Sequence, residues 1–351
     1  MDITGKIIKG INYRPLLCRK LNTYKLNELG IALSRDATFF LNIDKQNKMA
    51  LSWWVSAKRT RSYPYARVYD SYGFSGKKVT IIPIMKDEGH NGDRDFLQWD
   101  TISLMSLLNI YVIIAYYKTA TKSSRFDNKI TDQRFDIAYI KTQINQLSRY
   151  QDFPLHWNLH QITNIQKVGK NAIKSYETIA KNLNIKMHSK KGAEKKINKL
   201  MKDKATYLKT SRDLAEKAQH REKSVTHKAE NVDGSKASLT INNYLGGNYY
   251  FTSDEVRLRN GTLFLVEAKN TKEGRLPSLE DIKDGLIRMI LFTNLEKVSI
   301  KSRVYRVVPL LKLTSKKSLN VGKRDIEILN ILKKEASLNG FKIEVNGKLQ
   351  N

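Results

Sequence analysis

Cysteine is almost absent: Cys18 is the only one in 351 residues. That leaves no disulfide framework and no cysteine-based zinc site. Long apolar runs are also missing. Nothing approaches the roughly 20 residues needed to span a bilayer. The first ten residues, MDITGKIIKG, lack the apolar core of a signal peptide. A reducing, cytoplasmic setting with no membrane partner is the expectation. Acids are scarce as well. Against 63 Lys and Arg stand 34 Asp and Glu, for a formal net charge of +29 at pH 7. A surface this basic attracts polyanions and holds nucleic acid without sequence preference. An anionic membrane surface is a poorer match, because no helix pattern joins the basic face to a large apolar one. Richness in Lys, Asn and Ile also fits AT-rich coding, which weakens charge as a functional argument.

What is present supports a folded core. Hydrophobic residues make up 40% of the chain, with 17 Tyr and 11 Phe. The length suits one large or two ordinary domains. Residues 1–35 are mixed and read as covering one end of the first domain. Residues 37–43, 49–57, 65–69 and 78–85 are apolar runs of strand length. Residues 95–108 have helical spacing with Asp95 as N-cap, and 110–117 read as a buried strand. This makes 1–136 an N-terminal α+β domain, suited to DNA recognition, with 119–136 as a polar boundary. Residues 137–232 form a basic helical segment interrupted by Pro154. Within it, 181–230 carry fifteen Lys/Arg against six acids, with one thin apolar stripe. A DNA-facing or dimer-bridging helix suits this better than a plain linker, with Lys195, Lys196 and Lys199 on its basic face.

The third part, 233–351, is strand-rich. Its centre is 252–270, TSDEVRLRNGTLFLVEAKN. Asn260-Gly261 is a two-residue turn signal, because both central positions of a type I′ turn need positive φ. With that loop, Arg259 faces Thr262, Leu258 faces Leu263, Val256 faces Leu265 and Asp254 faces Glu267. Alternation then puts Asp254, Glu267 and Lys269 on one face. Opposed carboxylates roughly 5 Å apart repel unless a cation sits between them, and a divalent ion with oxygen ligands suits the place. Lys269 points the same way, able to hold a water or offset negative charge. Glu255 falls on the opposite face. Further on, Ser278 is an N-cap with Asp281 at N3, and Ile282, Leu286, Met289 and Ile290 line a helix face. A strand over 304–313 follows, its Pro309 requiring an edge or bulge. A helix over 325–338 closes at Asn339-Gly340, and 341–345 add a last strand.

Ser253-Asp254 and Glu267-Ala268-Lys269 resemble the motif of the PD-(D/E)xK nucleases, whose best-known members are type II restriction endonucleases. Ser253 stands where the motif has Pro. Strand–strand–strand–helix–strand after a long helix is also the element order of that core. The resemblance covers about 249–313. It implies an α+β fold (mixed α/β) with a PD-(D/E)xK-like core, a mixed central sheet flanked by helices. It implies site-specific hydrolysis of double-stranded DNA with Mg2+ as cofactor and no nucleotide cofactor. Asp254 and Glu267 would hold the metal with the Ala268 carbonyl, and Lys269 would assist the attacking water. Cutting both strands of a palindrome needs two sites, so a homodimer is expected. Repair, junction-resolving and transposon-associated nucleases share the chemistry, and a non-catalytic nucleic-acid-binding protein is the reading from another class. Glu255, Glu230 or Asp233 would be the further acid that completes the metal shell.

Three other features bear on function. Lys58, Arg59 and Arg61, with Tyr63 and Tyr65, form a basic cluster that fits phosphate contact and a plain solvated loop equally. The stretch 86–100 holds four Asp and one Glu directly after a strand. Asp70, Asp87 or Glu88 with Lys86 is a second, less favoured metal site, since acids also suit a helix N-terminal loop. His156 and His160 lie four apart but lack a third ligand, so a structural role is expected.

Overall fold

A computed structural model of the chain describes residues 2–201, 235–243, 248–317, 319 and 322–350. It is an α+β structure of mixed sheets and helices. The chain divides into two units, Lys20–Ser211 and Met1–Arg19 with Arg212–Asn351. The first unit is therefore enclosed within the sequence of the second. Boundaries at 136 and 232 do not coincide with this division. Among the described residues no helix is long and apolar enough to cross a membrane.

The enclosed unit is built on a five-stranded mixed sheet, Thr23–Lys25, Thr38–Asn42, Lys48–Trp53, Lys77–Pro83 and Tyr111–Ala115, in chain order. Val79, Ile81, Ile82, Ile113 and Ile114 are all buried. That continuous apolar run is what parallel strands covered on both faces require. The last strand would be an open edge, but the helix Pro154–Thr163 closes it. Asn158 Oδ1 accepts from Val112 N at 2.7 Å, and Trp157 Nε1 donates to Val112 O at 2.7 Å. Pro154 therefore begins a helix at its first position, where its missing N–H costs nothing. His156 is exposed and bonded to Asp152 at 2.5 Å. The residues of consequence there are its neighbours Trp157 and Asn158.

Three expectations for this unit need correction. Residues 65–69 are not a strand but part of the helix Pro64–Ser71. Ser62 and Tyr63, at φ 58° and 47°, turn the chain sharply into Pro64. Asp95 does not cap a helix: it is buried in the strand Arg94–Phe96, and the helix is Trp99–Leu107. The polar stretch after 117 is a hairpin, Tyr117–Lys122 against Ile130–Phe135. The basic segment contains the helices Ile137–Ser148, Pro154–Thr163, Ile165–Leu183 and Lys190–Met201. Residues 202–230 lie outside the described residues.

The other unit carries a nine-stranded sheet. Its order is Arg303–Val304, Glu296–Ile300, Asp2–Ile7, Ser235–Asn243, Asn248–Arg259, Thr262–Thr271, Arg306–Ser315, Lys342–Val345 and Lys348–Gln350. The N-terminal strand Asp2–Ile7 is thus interior, parallel to Ser235–Asn243 and antiparallel to Glu296–Ile300. Its alternation of exposed and buried residues, with Ile3 and Ile7 inside, suits that place. The reading of 1–35 as an end of the first domain missed it. Pro309 lies opposite Leu265, one residue before pairing with Lys342–Val345 begins. On the side of Lys342–Val345 its absent N–H interrupts no pairing. The helix Leu279–Phe292 starts where expected, with Ser278 Oγ accepting from Asp281 N at 3.1 Å. It packs on Thr262–Thr271 and Arg306–Ser315 and is buried nearly all round. Helix Lys323–Asn339 ends at Gly340, φ 75°.

Candidate active site

The hairpin between Asn248–Arg259 and Thr262–Thr271 forms as its turn dictates. Asn260 and Gly261 have φ of 46° and 74°. The rungs Arg259–Thr262, Leu258–Leu263 and Val256–Leu265 are paired, and the ladder ends at Glu255–Val266. On the other side of the same strand, pairing with Ser235–Asn243 shifts register between Val256 and Ser253. Such an irregularity re-aims side chains. Ser253, fully buried, places its Oγ 2.9 Å from both Glu255 O and Val266 O, filling the gap left in the ladder. Asp254 then reaches across. Its Oδ2 accepts from the Ala268 N–H at 2.9 Å, so it lies between the two residues of the E-x-K pattern that carry charge.

Glu267 is 7% exposed. Its Oε1 lies 3.0 Å from Lys269 Nζ, and its Oε2 faces Arg288 Nε at 4.0 Å. Lys269 is shared, for its Nζ also donates to Asp284 Oδ2 at 2.5 Å. The consequence is uneven. Burial lowers Lys269, yet Glu267 and Asp284 together outweigh it and hold the ammonium protonated well above its usual range. Glu267 moves the other way. Burial and then Asp254 push its carboxyl up to about 7, with Lys269 and Arg288 only partly opposing. A carboxylate sharing one lysine with Asp284 and facing Asp254 remains short of positive charge.

Glu255 is on the opposite face, as expected, and belongs to another cluster. It is fully buried, bonded to Arg257 and to Lys312 Nζ at 3.0 Å. Arg257 also bridges to Glu344 at 2.7 Å. Burial alone would raise Glu255, but the bonds from Arg257 and Lys312 prevail and hold it below the usual carboxylate range. It needs no further cation. Glu230 and Asp233 lie outside the described residues.

Glu88, Asp87 and Asp95 of the stretch 86–100 also have cationic or histidine partners. Glu88 meets Arg61 Nη1 at 2.6 Å and Lys86 Nζ at 3.0 Å. Asp87 Oδ1 accepts from Gly89 N at 2.9 Å and lies 2.8 Å from His188 Nδ1. Asp95 meets Lys58 at 2.8 Å and Arg61 Nε at 3.1 Å. Burial raises Glu88 and Asp95, and their cationic partners outweigh it in both. Asp70 is buried within its helix. Lys58 and Arg61 therefore serve these acids, in an open cleft also lined by Thr60, Ser62 and Lys86. Arg59 sits in the same loop. Lys195, Lys196 and Lys199 are exposed on the helix Lys190–Met201, whose Ala193 and Ile197 are buried.

Among the described residues no group of three or more His, Cys, Asp or Glu side chains is arranged to hold a metal ion. The local donor set is two carboxylates, Asp254 and Glu267, and the Ala268 carbonyl. That suits a hard cation that keeps several waters and takes one or two carboxylates from the protein. The raised Glu267 carboxyl is the charge deficit such an ion would fill. The apolar positions of the helix mark its buried face in the sequence but not Asp284 and Arg288. Their i, i+4 spacing was the available signal.

No protein-family model, no curated protein and no solved structure matches the chain.

Proposed function

We propose that this chain is a Mg2+-dependent endonuclease of the PD-(D/E)xK kind that cuts double-stranded DNA at specific sites, as a type II restriction enzyme does. The observation that carries the reading is Glu267: a buried carboxylate short of counter-charge, with Asp254 and Lys269 beside it at the end of one hairpin. The topology supports it. Three antiparallel strands, Ser235–Asn243, Asn248–Arg259 and Thr262–Thr271, are followed by a helix and then by Arg306–Ser315 parallel to the third strand. That is the element order of the resembled core.

In this reading Asp254, Glu267 and the Ala268 carbonyl hold Mg2+. The ion, when bound, polarises the scissile phosphate and acidifies a coordinated water. Lys269 remains an ammonium at neutral pH and either orients the attacking water or offsets charge gathering on the phosphate. Asp254, bonded to the Ala268 amide, fixes the strand end that presents Glu267 and Lys269. The net charge of +29 draws the duplex by its phosphates. Two copies, one per strand, complete a double-strand cut.

The test is incubation of the protein with a long unmethylated duplex and Mg2+, beside Lys269→Ala and an EDTA control. Discrete fragments from wild type alone support a site-specific enzyme. A smear points instead to a structure-selective or repair nuclease with the same site. Salt-sensitive binding with no cleavage across long genomic DNA leaves a non-catalytic nucleic-acid-binding protein.

A further inference from the structure

The helix Leu279–Phe292 brings two opposite charges to the site, one turn apart. Asp284 Oδ2 accepts from Lys269 Nζ at 2.5 Å. Arg288 is 6% exposed, with its guanidinium over the Phe251 ring at 4.9 Å and its Nε 4.0 Å from Glu267 Oε2. Its Nη1 is buried and has no hydrogen-bond partner among the described residues. A buried donor left unsatisfied is costly, and an arginine kept there needs a reason beyond packing. The two oxygens of Glu267 supply one. Oε1 faces Lys269 and Oε2 faces Arg288, so the carboxylate is bracketed. The helix lies close enough to do this because position 285 is glycine. A Cβ there would sit 2.8 Å from Leu311 Cδ1 and 3.3 Å from Lys269 Cε.

We propose that Asp284 and Arg288 are the positioning residues of this site, Asp284 fixing the Lys269 ammonium and Arg288 fixing the Oε2 side of Glu267. The proposal rests on the nuclease reading. Neither residue touches substrate; each acts through a residue of the E-x-K pattern. The arrangement is crosswise. The helix acid holds the strand base, and the helix base holds the strand acid. Loss of either lets its partner leave the productive geometry while the duplex still binds elsewhere.

The experiment uses the full chain, with Asp284→Asn, Arg288→Met and Arg288→Lys compared with wild type. Steady-state cleavage is measured in Mg2+ on a duplex carrying the site that wild type cuts, and thermal melting verifies folding. Misplacing a reacting group by an ångström can cost about 100-fold, so Asp284→Asn and Arg288→Met are expected to lower kcat by about that factor, with KM unchanged. Arg288→Lys should recover a substantial part of the loss. A second readout needs no turnover. Acetylation of Lys269, followed by peptide mass spectrometry, should accelerate in Asp284→Asn, because its amine loses one of its two carboxylate partners. Wild-type kcat in either folded variant, a loss confined to KM, a gain in Asp284→Asn, or unchanged labelling would overturn the proposal and leave the nuclease reading standing. A wild type that cuts no DNA would remove the nuclease reading, and the positioning role of both residues with it. Should Arg288→Met not fold, Asp284→Asn and Arg288→Lys decide the matter.

Discussion

Glu267 shows how one residue records the state of the site. Its carboxyl lies at about 7 in the folded chain, against an ordinary value near 4.5. A raised acid binds more protons when folded than when unfolded, so stability falls as pH rises from about 4.5 to 7 and is flat beyond. At roughly 1.4 kcal/mol per pKa unit the cost above pH 7 is roughly 3 kcal/mol. Glu267→Gln should therefore stabilise the protein at pH 8 in EDTA by up to that amount, and hardly at all at pH 4.5. Urea unfolding at the two pH values reads this, and equal effects at both would refute the assignment. Gly285→Ala is the packing counterpart. The added methyl meets Leu311 and Lys269, and overpacking of this kind costs about 1–3 kcal/mol. A melting curve for this variant at or above wild type would contradict the close approach. The strand half of the site is legible in part: the Asn-Gly turn and alternation put Glu267 and Lys269 on one face, whereas Asp254 lies beyond the last rung, Glu255–Val266, and reaches the Ala268 amide past a register shift that counting from the turn does not show. The helix half is not. Charged residues on a helix read as solvent-facing unless a partner is known, and Lys269 and Glu267 are partners from another element.

Elements were legible where their own ends declare them. Ser278 and Gly340 mark helix termini through side-chain capping and positive φ, both local chemistry. The helix Pro64–Ser71 resembles a strand in sequence because Tyr, Ala, Arg and Val stand in short alternation, and only the turn at Ser62 and Tyr63 decides otherwise. The N-terminal segment is held by contacts that no local pattern announces. Glu335, fully buried on the helix Lys323–Asn339, accepts from Tyr13 Oη at 2.7 Å, Leu16 N at 2.8 Å and Leu17 N at 3.1 Å. Burial, and then Glu335, drive the Tyr13 hydroxyl well above its usual range, so it stays protonated and donating. Glu335→Ala removes the acceptor of three hydrogen bonds, of which the one from Leu17 N is buried, so a loss of about 1–3 kcal/mol in denaturant unfolding is expected. A loss below 1 kcal/mol would show that the clasp is superficial.

At the scale of the molecule, the sheet that carries the site takes its third strand from the first seven residues and the rest from beyond residue 234. Removing residues 2–7 should abolish cooperative unfolding of that unit, because Ser235–Asn243 and Glu296–Ile300 would each lose a partner. This long-range pairing is invisible to sequence, since nothing local links residue 3 to residue 239. The basic surface yields a separate expectation. Lys195, Lys196 and Lys199 are exposed, whereas Lys58 and Arg61 are engaged with acids. Replacing the three lysines with Ala should reduce the slope of log affinity against log salt by about 2–3, and replacing Lys58 should leave it unchanged. Equal effects from both would mean that the ion pairs open on DNA. In the proposed nuclease the hairpin end, and not the acidic stretch before residue 100, cuts DNA. Cleavage of a long duplex in Mg2+ by wild type, Glu267→Gln and Glu88→Gln, side by side, tests it most directly. Cutting by wild type and Glu88→Gln, and none by Glu267→Gln, is the expected result. Cutting by Glu267→Gln at the wild-type rate would contradict it.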